Sequence, residues 1–128
     1  MIPVELLRRV TWRCVHFTDS VDTSRLLRAL PTELRVVDAT ANADAPLSHV
    51  VARAFRFPDY FRGTWDSVET CLRDLAWLPA PGYVLLVRNA SALWAHDYVS
   101  ATHLTRAWLA AAEDWGQHGR SFHLVFVG

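Results

Sequence analysis

The sequence predicts an α/β fold in which helices pack on a parallel sheet, and three observations carry that reading. Tyr83 to Val87 (YVLLV) and Phe122 to Val127 (FHLVFV) are continuous apolar runs, the pattern of strands covered on both faces. Between and before them, apolar residues recur at helical spacing, so strands and helices alternate along the chain. A length of 128 residues with 52 % hydrophobic content supports one domain with its own core.

Each element has its own signal. Residues 10 to 17, VTWRCVHF, are rich in β-branched and aromatic types and predict a strand at a sheet edge. A helix follows, capped by Asp22 or Thr23, with Leu26, Leu27 and Leu30 on one face and Pro31 as its stop. Leu34 to Val37 is a short apolar strand, after which TANADAP breaks regular structure and offers Asp44 as a cap and Pro46 for a first helical turn. Leu47, Val50, Val51, Ala54 and Phe55 then mark a helix. Thr64 caps the next one, whose apolar side is Trp65, Val68, Cys71, Leu72 and Leu75 and whose opposite face is Asp66, Glu69, Thr70 and Arg73. PAPG separates it from the strand at 83 to 87. Asp97 caps a long final helix with Ala101, Leu104, Trp108, Ala111 and Trp115 facing inward, and GQHG closes it before the last strand.

Composition excludes several function classes. Lys plus Arg (13) balance Asp plus Glu (13), so no global field points to nucleic acid or to an anionic membrane. The five glycines form no phosphate-binding loop. His96 and His103, and His118 and His123, lack a third ligand nearby, so neither a metal nor another cofactor is expected. Cys14 and Cys71 sit among apolar neighbours, as buried reduced thiols do. Asp66 and Glu69 could be imagined as an acid-base pair, but carboxylates three apart on an exposed helical face are ordinarily solvated, and no reaction centre emerges. The N-terminus has no secretory signal and no stretch is long enough to span a bilayer, so the expectation is a cytoplasmic protein.

One stretch stands apart. Residues 57 to 75, FPDYFRGTWDSVETCLRDL, combine Phe57-Pro58-Asp59-Tyr60-Phe61, Gly63 and Trp65-Asp66 with Cys71-Leu72-Arg73-Asp74-Leu75. This combination resembles the barstar family, the intracellular inhibitors of barnase-type ribonucleases. The resemblance covers residues 34 to 128, which repeat the family's order of strand, helix, loop and helix, strand, long helix, strand. Residues 1 to 33 are then an N-terminal extension that adds a strand and a helix to the barstar-like sheet.

The resemblance implies inhibition by plugging: the loop and helix enter a nuclease cleft and their carboxylates stand where RNA phosphates would. It implies a partner-binding surface of Tyr60, Phe61, Arg62, Gly63, Thr64, Asp66, Glu69, Thr70 and Arg73, with no catalytic residue. Asp66 aligns with the family's first interface aspartate and Tyr60 with an aromatic that packs on the nuclease. Thr70 stands where well-studied members carry a second aspartate, Glu69 stands for a tryptophan, and further interface acids fall near Asp114 and His118. For Phe57, Phe61 and Trp65 core packing competes with an interface role. The implied partner is a secreted ribonuclease toxin, bound as protein without direct nucleic-acid contact, by an inhibitor or immunity protein that is monomeric when free. The alternative is an interaction module of the same fold whose partner is a non-nuclease toxin or another protein.

Overall fold

The computed structural model describes residues 4–20, 22–29 and 34–128. The two apolar runs become neighbouring central strands, β3 (Gly82–Arg88) and β4 (Ser121–Val127), flanked by β2 (Leu34–Thr40) and β1 (Val15–Thr18). All pairs are parallel, in the order β1-β4-β3-β2. Every residue of β4 and all but the last of β3 are buried, which is why neither strand alternates in sequence. β1 lies at an edge, as expected, but starts at Val15. Residues 10 to 14 are not strand: Trp12 is 78 % exposed beneath the Arg13 guanidinium, and Cys14 uses its carbonyl to accept from the Leu124 N–H.

Among the described residues five helices join the strands: α1 (Thr23–Ala29), α2 (Leu47–Phe55), α3 (Trp65–Asp74), α4 (Ala90–His96) and α5 (Tyr98–Gln117). Asp22 caps α1 by accepting from the Arg25 N–H at 3.1 Å, while the expected Leu30 and Pro31 and the side chain of Leu27 lie outside the described residues. Asp44 caps nothing. Its own N–H is taken by the Asn42 side chain at 2.9 Å, and Pro46 occupies the cap position of α2 without a side-chain bond. Thr64 and Asp97 do cap α3 and α5, accepting from Ser67 N–H at 3.2 Å and Ser100 N–H at 3.3 Å.

The period of two along the strands sorts the core into two layers. One face presents Val37, Ala39, Tyr83, Leu85, Val87, Phe122, Leu124 and Phe126 to Val51 and Phe55 of α2, Val68 and Leu72 of α3, and Leu104, Trp108 and Ala111 of α5. Trp108 stacks on Phe122 with centroids 4.0 Å apart, and its indole N–H donates to the Phe122 carbonyl. The other face presents Val84, Leu86, Val125 and Val127, and the N-terminal residues cover it. Leu7, from a 3-10 turn at Val4–Arg8, and Leu26 of α1 are buried there. The chain therefore has the expected α/β architecture with helices on its parallel sheet, and part of the N-terminal segment packs against the sheet's second face.

Candidate functional site

The loop from Phe57 to Thr64 is held by backbone and aromatic contacts. After the left-handed Arg56 that ends α2, the Phe57 N–H returns to the Ala52 carbonyl at 2.9 Å, and the Phe61 N–H closes a turn on Pro58 at 3.0 Å. Phe57 then meets Phe61 with centroids at 5.3 Å and Trp77 edge-on at 6.0 Å. Trp77 is itself pinned, its indole N–H donating to the Phe55 carbonyl at 2.9 Å. Gly63 adopts φ +77°, a conformation that a side chain would strain, with the His49 ring close behind it.

The loop and α3 are tied together through Ser67. Its hydroxyl accepts from the Arg62 N–H at 2.9 Å and donates to the Thr64 carbonyl, while its own N–H goes to the Thr64 hydroxyl. Arg62, Thr64 and Asp66 thus hold a fixed relation at the start of α3, and all three are exposed. Asp66 lies in the first turn, where the helix dipole favours a carboxylate by about 0.3–1 kcal/mol.

Tyr60 is 41 % exposed, with one ring edge toward Trp77 and its hydroxyl donating to the Asp74 carboxylate. Burial of the phenol and the Asp74 carboxylate beside it push its pKa well above the ordinary value, so it stays a neutral donor. Phe61 is half-buried against Phe57 and His49, and Phe57 and Trp65 are half-buried on the core, Trp65 stacking on His103 at 5.9 Å.

Further along α3 the polar residues make contacts of their own. The Thr70 hydroxyl donates to the Asp66 carbonyl at 3.1 Å. Arg73 bridges Glu69 at 3.2 Å and Asp114 of α5 at 3.1 Å, and His118 stands against the Asp114 carbonyl at 2.9 Å. Glu69 and Arg73 therefore belong to the α3–α5 junction rather than to a freely solvated face. The Trp115 indole reinforces that junction by donating to the Leu72 carbonyl at 2.8 Å. The sequence reading did not find Asp74, Trp77, His49 or His103 as supports of this surface. Their partners lie 12 to 38 positions away, beyond any helical or strand spacing.

Neither the comparison with curated proteins nor that with solved structures yields a match. The model of one family, Barstar (barnase inhibitor), matches residues 32–127, a span that holds β2 to β4, the Phe57–Thr64 loop and α3. The chain belongs to the barstar family.

Proposed function

We propose that the chain inhibits a ribonuclease toxin by placing the 57–64 loop and α3 over its active site, as an immunity protein and not as an enzyme. Membership of a family of barnase inhibitors is the observation that carries this reading. The exposed Tyr60 and Asp66 support it: one offers an aromatic anchor, the other a carboxylate that a basic cleft would desolvate and pair. The inhibitor acts in the cytoplasm, as a monomer until it meets its target, and contacts protein only.

A second reading is favoured by the charges of α3. Thr70 is uncharged and its hydroxyl is engaged, and Arg73 already answers Glu69 and Asp114. Asp66 then remains as the carboxylate of this helix face without an ion pair among the described residues. Such a surface suits a cleft less basic than that of barnase, or a partner that is not a nuclease.

The deciding experiment measures RNA cleavage by a panel of barnase-type ribonucleases with and without the purified protein. Stoichiometric inhibition that Asp66→Ala weakens supports the proposal. Absence of inhibition throughout the panel, together with a non-nuclease product encoded beside the gene that binds the protein, supports the second reading. RNA turnover by the protein itself would overturn both.

A further inference from the structure

A chain of hydrogen bonds crosses the second face of the sheet where the N-terminal residues meet it. His123 of β4 is fully buried. Its Nε2 lies 2.8 Å from the Arg9 carbonyl, just after the 3-10 turn, and its Nδ1 lies 2.9 Å from Nε2 of His16 on β1. A carbonyl only accepts, so His123 carries its proton on Nε2 and its Nδ1 is an acceptor. His16 must then donate from Nε2. The two rings meet edge to edge, with centroids 5.1 Å and planes 21° apart, and one interior side chain links both β1 and the turn to the central strand.

We propose that the His16–His123 pair is an acid-sensitive clasp that fastens the N-terminal segment, residues 4 to 18, holding its 3-10 turn over the second face of the sheet and β1 along the sheet's edge. The device is regulatory and independent of the ribonuclease reading. While the clasp is closed, His123 has no nitrogen free for a second proton: one already donates to Arg9 and the other receives from His16. The closed pair therefore holds at most one added proton, on His16. Once the segment lifts, both rings are solvated and each takes a proton as an ordinary imidazole does. Acid thus favours the open form by mass action, and opening uncovers Val84, Leu86, Val125 and Val127.

The surroundings do not offset this. The turn carries Glu5, Arg8 and Arg9, the approach to β1 carries Arg13, and Asp19 follows that strand; all are exposed. Asp22, Arg25 and Arg28 of the α1 region are exposed as well, and Arg8 is engaged with the Ala29 carbonyl at 2.9 Å. β3 presents Val84 and Leu86 to this layer, and Arg88 at its end is paired with Asp38 of β2 at 2.8 Å. Among the described residues no carboxylate forms an ion pair with either ring.

Burial lowers both pKa values from the ordinary 6.5, and the neighbouring ring lowers that of His16 further. A base whose folded pKa is depressed contributes full stability above its unfolded pKa. That contribution is lost as the pH falls below about 6.5.

Amide hydrogen exchange on the full chain, corrected for intrinsic rates, tests the clasp at pH 7.5 and 5.5. The opening constant of the β1 amides should rise at least about tenfold between these pH values, the factor for one excluded proton of pKa 6.5. The β3 amides should remain slower at both. In His123→Gln, the amide can donate to Arg9 and accept from His16 without titrating, and the pH dependence should fall to less than about half that of the wild type, the remainder coming from the buried His16. Should that variant fail to fold, histidine ¹⁵N NMR of the wild type replaces it: His123 should keep a protonated Nε2 and an accepting Nδ1 down to pH 5.5. The proposal is overturned by β1 opening that ignores pH, by β1 and β3 exchanging together, by a dependence undiminished in His123→Gln, or by a His123 that titrates freely near 6.5.

Discussion

The Arg73 guanidinium joins two helices, meeting Asp114 of α5 at 3.1 Å and Glu69 of its own α3 at 3.2 Å. All three side chains are roughly two-fifths exposed, so water and salt weaken these pairs. Arg73 nevertheless sets the charge of the proposed interface, because it supplies from within the cation that a basic partner would otherwise supply.

Arg73→Ala should lower stability by no more than about 1 kcal/mol, with a smaller loss at high salt. It should also speed association with a basic ribonuclease at low ionic strength, since two carboxylates lose their internal counter-ion. Thermal melts at two salt concentrations and stopped-flow binding check both statements. An association rate that drops on removing Arg73 would mean that the arginine itself contacts the partner.

Tyr60→Phe should separate the two roles of the tyrosine. The ring keeps its edge contact with Trp77, while the bond to Asp74 is lost at a cost of about 0.5–1.5 kcal/mol. Tyr60→Ala removes the exposed anchor as well. Tyr60→Ala should therefore melt lower than Tyr60→Phe and Asp66→Ala close to the wild type, while both alanine variants stay folded and bind the cognate partner more weakly, by calorimetry or surface plasmon resonance. Normal binding by both would place the interface elsewhere.

Thr70→Asp restores a carboxylate one turn after Asp66. It loses the bond from the Thr70 hydroxyl to the Asp66 carbonyl and puts like charges at i and i+4, so helix stability should fall by a few tenths of a kcal/mol. Affinity for the native partner should fall too, because an acid facing a surface that evolved against threonine is desolvated without compensation. A clear gain in affinity would identify a phosphate-site cation opposite residue 70.

Gly82→Ala should be among the costliest small substitutions. A Cβ there would stand 2.3 Å from the Ser121 Oγ, 2.6 Å from Leu34 Cδ2 and 3.1 Å from the Ser121 carbonyl oxygen, between two paired strands. Overpacking of this kind costs about 1–3 kcal/mol. A denaturant midpoint within error of the wild type would contradict this account.

Gly82 also illustrates what a sequence can express. PAPG reads as a chain break, and it is one, but the last glycine already belongs to β3 and is required by the closeness of its neighbours. The long signals carried over well: two apolar runs, two side-chain caps at Thr64 and Asp97, and the inward stripe of α5. β2 is longer than its apolar stretch, because pairing with β3 carries it through Asp38 and Ala39, which have weak strand propensity, to Thr40. α4 escaped notice because it has seven residues, no side-chain cap, and a start set by Asn89 at φ +63°. Residues 10 to 14 misled in the opposite sense, their aromatic and β-branched composition serving a surface stretch. In the candidate site, the motif marked the loop and α3, but the Tyr60–Asp74 and Arg73–Asp114 contacts span 14 and 41 positions and carry no periodic signal. The His16–His123 bond spans 107.

The strand order has a consequence for synthesis. β4 follows the other three described strands in sequence yet stands between β1 and β3, so β1 has no neighbour in the sheet until β4 has been made. A nascent chain stalled before Ser121 can pair β2 with β3 but must leave β1 and both edges of the future β4 slot unmatched, with Leu85 lacking its neighbour Leu124. Such a chain presents open strand edges to the cell, and the last seven-residue strand closes them in one step. The arrival of β4, rather than the formation of any helix, therefore sets the moment at which this sheet closes.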